Sequence, residues 1–306
     1  MKWCSLHHHS TFSFMDGFGL PDDHAKRAAE LDMFAMALTE HGNVSSHVGL
    51  EKAGAKYGIK PIFGIEAYTE VKPRSRRKFH LTILAMNQQG YRNLNTIVTR
   101  SWREGFYQWP TVRGEMLWDH QEGLIVLSGC SDSLLACSLL GGKSIPVANA
   151  SWDRAKRTAA RFQDRLGDRF YLECQMFPEL ARTHDINKAY EQLGKELGIP
   201  LVGSADVHYP HPDDNEMQVI LHAAGRGNNT VAAQASSWEY DIRMTLPDSD
   251  AKVIERLRGT GLSKRAASAA LASSTQIAER CTVELPKAAP IKFPGTRRDL
   301  EWTTKQ

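Results

Sequence analysis

The chain has 306 residues, of which 42% are hydrophobic and 24% charged, and its formal net charge is +3. These values suit a globular protein with a large core in one big domain or two, and the weak charge neither requires nor excludes nucleic acid. Five scattered cysteines form no Cys-x-x-Cys pair, and no apolar run approaches a signal core or a membrane span. We therefore expect a reduced cytoplasmic protein with no membrane contact.

Short apolar segments alternate along the chain with amphipathic ones, which is typical of a parallel sheet covered by helices. The predicted strands are residues 2–6, 33–39, 59–65, 80–86, 123–130, 170–174 and 199–205. The predicted helices are residues 21–31, 45–57, 91–102, 152–166, 186–197, 213–224, 248–258 and 263–280. Seven strands alternating with helices favour a closed α/β barrel, which carries its chemistry at the C-terminal ends of the strands.

Side chains that can bind metals lie close to the ends of these strands. His7 and His9 follow the first strand and point to the same face, because side chains alternate along a strand. The remaining candidates are Asp16, His41, Glu66, His80, Cys130, Asp206 and His208, of which His80 begins a strand. Nine ligands exceed the four or so that one ion needs, so we expect two or three metals with Glu66 or Asp206 bridging them.

The ligand types indicate the metal and the chemistry. Imidazoles mixed with carboxylates suit Zn, Mn or Fe, and the one thiol favours Zn at its position. Metals about 3.5–4 Å apart can hold the attacking and leaving oxygens of a phosphate ester and lower the pKa of bound water toward about 7. We expect catalysis to depend most on a subset of the nine: His7, His9, Asp16, Asp206 and His208.

Six ordered motifs and one terminal segment resemble the PHP (polymerase and histidinol phosphatase) domain, most closely the one at the N-terminus of bacterial DNA polymerase III alpha subunits. The motifs are residues 6–13 (LHHHSTFS) with Asp16-Gly17, 37–43 (ALTEHGN), 58–68 (GIKPIFGIEAY), 80–82 (HLT) with 90–94 (GYRNL), 127–130 (LSGC) and 206–209 (DVHY). Residues 277–281 (IAERC) resemble the end of the same module, so the resemblance covers roughly residues 1–285.

The resemblance implies a distorted seven-stranded β/α barrel, a trinuclear metal site and phosphoesterase activity. In the polymerase branch that activity is a proofreading 3′–5′ exonuclease on single-stranded DNA ends. We expect residues 1–225 to form the barrel, 226–285 a helical appendage and 286–306 a linker or tail. We expect no polymerase active site in these 306 residues, so the polymerase partner would be a separate domain or subunit, either encoded elsewhere, cut off or absent.

Two other functions stay open at this point. The chain could be a small-molecule phosphatase like the histidinol-phosphate branch, or a catalytically idle scaffold that binds a polymerase. The complete ligand set argues against the scaffold. The polymerase-like sequence motif at residues 206–209 argues against the phosphatase.

Two surface features could contact DNA. The basic residues Arg74, Arg76, Arg77 and Lys78 could guide a phosphate backbone, although a solvated loop explains them equally well. The aromatic cluster of Trp102, Phe106, Tyr107 and Trp109 could stack bases, but the packing of a long loop is the favoured interpretation.

Three polar residues are assigned no role at the metals by sequence alone. His8 points away from its two neighbours and is predicted to be structural. Glu173 lies near a strand end without a matching motif, so a site role is not favoured. His222 lacks motif context and is predicted to be an ordinary surface or core residue.

Overall fold

Seven strands form one curled sheet in the computed structural model of the chain, which describes residues 1–142, 145–225, 230–237 and 241–287. They are β1 (Ala35–Leu38), β2 (Lys60–Thr69), β3 (Phe79–Ala85), β4 (Thr111–Val112), β5 (Leu124–Leu127), β6 (Phe170–Gln175) and β7 (Leu201–Ser204). Their order in the sheet is β1-β2-β3-β5-β6-β7, with β4 beside β2. The α/β barrel-type fold predicted from the sequence is confirmed as a curled half-barrel, in which the end strands β1 and β7 do not pair with each other.

The sheet is mixed, whereas the sequence pattern predicted a parallel one. Strand β3 runs antiparallel to both β2 and β5, while the other neighbours are parallel. The reason is the connection after β2, because the basic loop 70–78 leads straight into β3 without a crossover helix. This reversal brings His80, at the start of β3, opposite Tyr68 near the end of β2.

The N-terminal segment joins the two ends of the sheet. Residues 2–6 were predicted as a strand, but they form no regular ladder. Ser5 instead makes a single parallel bridge to Met36 in β1, and His8 makes another to Val207 after β7. The seventh strand is therefore β4, a two-residue strand that the sequence pattern does not reveal.

Eleven helices are present in the described ranges. They are α1 (Pro21–Glu30), α2 (His47–Tyr57), α3 (Gln88–Arg103), α4 (Gly114–Asp119), α5 (Leu134–Leu140), α6 (Trp152–Leu166), α7 (Ala181–Leu197), α8 (Asn215–Gly225), α9 (Val231–Ala235), α10 (Asp250–Gly259) and α11 (Lys264–Arg280). Side-chain caps at Asn87, Ser151 and Ser263 begin three of them, and Gly58 ends α2 in the left-handed conformation. The predicted helices are confirmed within a few residues, and the short α4, α5 and α9 are additional.

The last two helices of this set pack against the barrel. Ile277 and Cys281 of the α11 region share a buried cluster with Cys4 and Leu6 from the N-terminal segment. Ser274 accepts a hydrogen bond from the backbone of Cys4 at 3.1 Å.

None of the helices in the described ranges is long and apolar enough to cross a membrane. The predicted domain boundary at residue 225 lies directly before the undescribed residues 226–229. Residues 288–306 of the predicted tail lie outside the described ranges.

Candidate metal centre

Glu66 lies at the centre of the histidine cluster. It is buried in β2, three residues before the strand ends, so it is an interior strand residue and not the strand-end residue that was predicted. Its Oε1 lies 3.2 Å from His7 Nε2 and 3.1 Å from His80 Nδ1. Its Oε2 lies 2.7 Å from His41 Nδ1 and 3.5 Å from His9 Nε2. One carboxylate therefore faces four imidazoles.

Asp206 approaches the same cluster from the residues after β7. Its Oδ1 lies 3.3 Å from His7 Nε2 and 3.5 Å from His9 Nε2. Its Oδ2 accepts a hydrogen bond from Gln175 at 2.8 Å. Asp206 has a backbone φ of +46°, a left-handed conformation that is uncommon outside glycine but tolerated by aspartate. This strained position holds the carboxylate at the barrel mouth.

Asp16 closes the cluster on the solvent side and contacts three imidazoles. Its Oδ2 lies 2.7 Å from His41 Nε2 and 3.2 Å from His208 Nε2, and its Oδ1 lies 2.6 Å from His222 Nε2. The loop that carries Asp16 turns sharply at Gly17, where any Cβ would collide with the backbone of Ser10. This close approach explains why glycine follows the aspartate.

Cys130 and His80 lie next to each other within the cluster. Cys130 Sγ lies 3.4 Å from His80 Nδ1, and Glu66 completes a group of three potential ligands. Burial, together with Glu66 and Asp206, raises the pKa of the Cys130 thiol well above its usual range. A bound metal would favour the thiolate instead.

Buried partners fix the tautomers of two histidines. His7 Nδ1 lies 2.6 Å from Glu173 Oε1, and because a carboxylate only accepts, His7 donates there and keeps Nε2 unprotonated when neutral. His9 Nδ1 lies 2.8 Å from Ser13 Oγ, and Ser13 donates its own proton to Glu40 at 2.6 Å. The lone pair of His9 Nε2 is therefore also directed to the centre. Such outer partners typically orient the histidine ligands of metals.

The electrostatic field in the centre favours positive charge. Burial opposes a charge on His7, but Asp206, Glu173 and Glu66 outweigh it and hold the His7 pKa well above its usual range. Burial likewise opposes a charge on His208, but Asp16 raises the pKa of His208 to about 9. His9 differs, because burial and the neighbouring His41 and His208 lower its pKa to about 3. The cluster thus combines a neutral imidazole with a field that attracts cations.

The arrangement fits bound metal ions. Five central atoms are buried and face one another, yet make no well-oriented hydrogen bond among the described residues: His7 Nε2, His9 Nε2, His41 Nδ1, Glu66 Oε1 and Asp206 Oδ1. Around a tetrahedral zinc with ligands at about 2.0–2.1 Å, neighbouring ligand atoms lie about 3.3 Å apart. The separations of 3.2 Å between His7 and Glu66 and 3.3 Å between His7 and Asp206 match this spacing.

Three overlapping triads of side chains could each hold an ion. They are His7, His9 and Glu66; His9, His41 and His208; and Glu66, His80 and Cys130. Since Glu66 and His9 are shared between triads, the cluster is consistent with more than one metal. All nine residues predicted from the sequence take part in the contacts described above.

Comparison with known proteins agrees with this geometry. The sequence profile of the PHP domain family matches residues 5–176, more than half of the chain. The chain belongs to the PHP domain family. The predicted resemblance to the PHP domain is thereby confirmed, and the relatives described next confirm its relation to polymerase alpha subunits.

Three relatives of this PHP domain carry the name DNA polymerase III subunit alpha. The one from Treponema pallidum is 31% identical over 100% of this chain and 25% of its own length. Those from Thermus aquaticus (31% identical) and Helicobacter pylori (28% identical) match 94% and 97% of this chain and 23% and 24% of their own lengths. The chain spans about a quarter of the length of the curated relatives it matches.

Two residues of the PHP domain contact the centre without having been favoured by the sequence. Glu173 lies in β6, where it binds His7 and accepts a hydrogen bond from Thr82 at 3.0 Å. His222 lies in α8 and contacts Asp16. The available signal for Glu173 was a charged residue within the otherwise apolar predicted strand 170–174, whereas no local pattern marks His222.

His8 has the structural position that strand parity predicts. Its ring is buried, with Nε2 2.7 Å from His24 Nδ1 and Nδ1 3.1 Å from Ser5 Oγ. His24 in turn contacts the carbonyl of Phe18 at 2.9 Å. This series of polar contacts helps to hold the loop between His9 and α1 in place.

The basic loop 70–78 lies at the edge of the cleft above the centre. Arg76 and Arg77 are exposed and line that cleft. Lys78 also borders the cleft, but its ammonium is buried and contacts Glu70 at 2.7 Å. The Arg74 guanidinium lies 5.1 Å from the ring centre of Tyr107. The four residues are thus close together but differ in how much charge they present to a ligand.

The sequence contains one Asp-x-Asp spacing of the kind found in polymerase palms, at Asp248-Ser249-Asp250. In this PHP domain these residues have structural contacts. Ser249 caps α10, and the Asp250 carboxylate accepts hydrogen bonds from the backbone of Lys2 and Trp3 at 2.9–3.0 Å. This carboxylate is engaged in fixing the N-terminal segment.

Proposed function

We propose that this PHP domain is a metal-dependent phosphodiesterase that removes nucleotides from single-stranded 3′ ends of DNA. The observation that carries the proposal is the gathering of the nine predicted ligands in one cluster around Glu66, with five buried polar atoms that make no well-oriented hydrogen bond. A cluster with three carboxylates and a field that favours cations is suited to holding two or three divalent ions. Zn, Mn and Fe are the candidates by ligand type.

The protein residues have separate roles in this proposal. His7, His9, His41, His80, His208 and Cys130 would hold the ions together with Asp16, Glu66 and Asp206. When bound, such ions supply an activated water and charge stabilisation for the transferred phosphate. Glu173 and the Ser13–Glu40 pair keep the Nε2 lone pairs of His7 and His9 directed at the centre.

We further propose that the domain works with a replicative DNA polymerase. The support is its relation to proteins named DNA polymerase III subunit alpha, which extend well beyond the matched region. A 3′–5′ exonuclease beside a polymerase could remove misincorporated nucleotides. This association would be expected in the cytoplasm of a bacterium.

Purified protein loaded with Mn or Zn should shorten 3′-labelled single-stranded DNA. Histidinol phosphate is assayed in parallel under the same conditions. Release of labelled mononucleotides with little phosphate from histidinol phosphate is the expected result. The reverse preference would assign the chain to small-molecule phosphatases, and inactivity on both with full metal loading would favour an idle scaffold.

A further inference from the structure

A large open cleft lies above the metal centre. Its floor includes Asp16, His41 and His80, and its volume is about 1060 Å³. Pockets for small molecules usually have volumes of roughly 300–1,000 Å³. The cleft therefore has room for more than one nucleotide, whereas a small phosphate ester would fill only part of it.

Exposed aromatic side chains surround this cleft. In the described part of the chain, six Phe and Trp residues are exposed, and five of them line the cleft. We call these five the aromatic rim: Phe12 (38% exposed), Phe14 (82%), Trp102 (49%), Phe106 (54%) and Trp109 (47%). The sixth, Phe34, lies elsewhere. Large apolar side chains gathered at one exposed place usually mark a binding surface.

Three rings of the aromatic rim are held in position by the protein. The indole N–H of Trp102 donates to the carbonyl of Gly42 at 2.8 Å, and its ring stacks on Phe106 at 5.6 Å and 22°. Trp109 packs on Tyr68, with ring centres 5.1 Å apart. These contacts account for their orientation but leave about half of each ring exposed. Rings fixed in advance lose little entropy when a ligand binds.

Tyr68 connects the aromatic rim to the metal centre. Its ring centre lies 5.6 Å from that of His41, in a stacked arrangement, and 5.5 Å from that of His80. A planar group resting on Trp109 would thus be separated from two proposed metal ligands by one intervening ring. The exposed aromatic surface is continuous with the place where we propose the chemistry occurs.

The charge of the cleft distinguishes between ligands. Arg76 and Arg77 line it together with the aromatic rim, so planar apolar surfaces and guanidinium groups border the same cleft. Single-stranded nucleic acids are bound by this combination, in which bases stack on rings while basic residues contact the backbone. The bases of a duplex are stacked on one another and cannot offer their faces.

We infer that the aromatic rim is a base-stacking platform that selects an unpaired nucleic-acid strand and leads it to the metal centre. This inference rests on the proposed function, because it specifies the form of substrate for the same site. It assigns positioning roles to Phe12, Phe14, Trp102, Phe106 and Trp109, residues that do not touch the reacting atoms. Packing of a long loop, the interpretation favoured by sequence alone, explains the buried half of Trp102 and Trp109 but not the exposed half.

The first test measures binding without catalysis. A fluorescently labelled 12-nucleotide thymidine strand is titrated with the chain in excess EDTA, beside a duplex of equal length. The strand should bind more tightly than the duplex. Phe106→Ala and Phe14→Ala should each weaken strand binding roughly fivefold to 150-fold, the range expected for loss of one stacked base. Phe106→Trp should keep strand binding near the wild-type value, and Phe34→Ala is the matched control away from the cleft.

The outcomes separate this inference from the proposed function. Equal binding of strand and duplex, or alanine variants that bind like the unaltered chain, would overturn the aromatic rim as a stacking platform. Absence of strand binding would overturn it as well and would point to another protein as the occupant. Ring-dependent binding without any cleavage after Mn or Zn loading would uphold the platform and reject the nuclease.

Discussion

The imidazole of His222 donates a hydrogen bond to Asp16 across 2.6 Å, although 206 residues separate the two in the chain. Burial opposes the charge on Asp16, but His208 and the other imidazoles hold its pKa well below the usual range. The ionised carboxylate can only accept, so Nε2 of His222 is the donor. The bond ties α8 to the loop after the N-terminal segment and fixes one carboxylate oxygen, while the other faces His41 and His208.

We expect His222→Gln to lower metal affinity and nuclease activity by roughly tenfold to 100-fold, because outer partners of metal ligands have effects of this size. The fold should persist, since His222 contributes no large apolar surface. Metal titration and digestion of labelled DNA measure the two quantities. His211→Gln is the control, an exposed histidine outside the centre. Equal behaviour of both variants would show that Asp16 needs no such support.

We expect the purified chain to bind two or three divalent metals. The three triads of ligands share Glu66 and His9, so one ion alone would leave ligands unused. Elemental analysis after gentle metal loading should give more than one equivalent. Chelation should lower the melting temperature, since a metal at a hundred times its Kd stabilises the folded state by about 2.7 kcal/mol. A stoichiometry of zero with no thermal shift would contradict the proposed centre.

Loss of a central ligand should abolish activity while the barrel survives. We expect Asp206→Asn and His9→Ala each to reduce DNA digestion by at least about a hundredfold, because the metal-activated water and the charge stabilisation are lost together. Both variants should also lose metal-dependent thermal stabilisation. The exposed Asp213→Asn serves as the control for removal of a carboxylate charge. Near-normal activity in both central variants would place the site elsewhere.

The ordered motifs predicted which residues meet, because several of them follow or begin a strand and strand ends converge at one mouth of a barrel. Strand direction was harder to predict. Side chains alternate with the same period in parallel and antiparallel strands, so the strand pattern does not reveal the reversal at β3. The available signal was the connection before β3, because loop 70–78 holds no crossover helix. β4 has only two residues, too few for any period. His222 joins Asp16 solely through the packing of α8, which sequence spacing does not encode.

The salt dependence of single-strand binding should reveal whether the basic loop contacts phosphates. Lys78 is paired with Glu70 in a buried position, so its replacement would disturb the loop itself. We therefore replace Arg76 and Arg77 together by alanine. If each contacts one phosphate, the slope of log binding constant against log salt should become shallower by about 1.4 for a single strand. Arg258→Ala with Arg265→Ala gives the same change in charge on exposed residues of α10 and α11. An unchanged slope would make loop 70–78 a solvated connection.

The 306-residue chain should shorten a primer but not extend it. Polymerisation requires carboxylates that hold two metals around an incoming nucleotide and a primer end. The carboxylates Asp16, Glu66 and Asp206 are surrounded by imidazoles, and the single Asp-x-Asp pair is committed to structure through Asp250, which binds the backbone of Lys2 and Trp3. Primer extension with all four nucleotides is run beside digestion of the same 3′-labelled primer, with an authentic polymerase as positive control. Products shorter than the primer are expected in the presence of Mn or Zn, and they should disappear in Asp206→Asn. Any nucleotide addition by the pure chain would mean that a polymerase centre exists among residues to which we assign other roles.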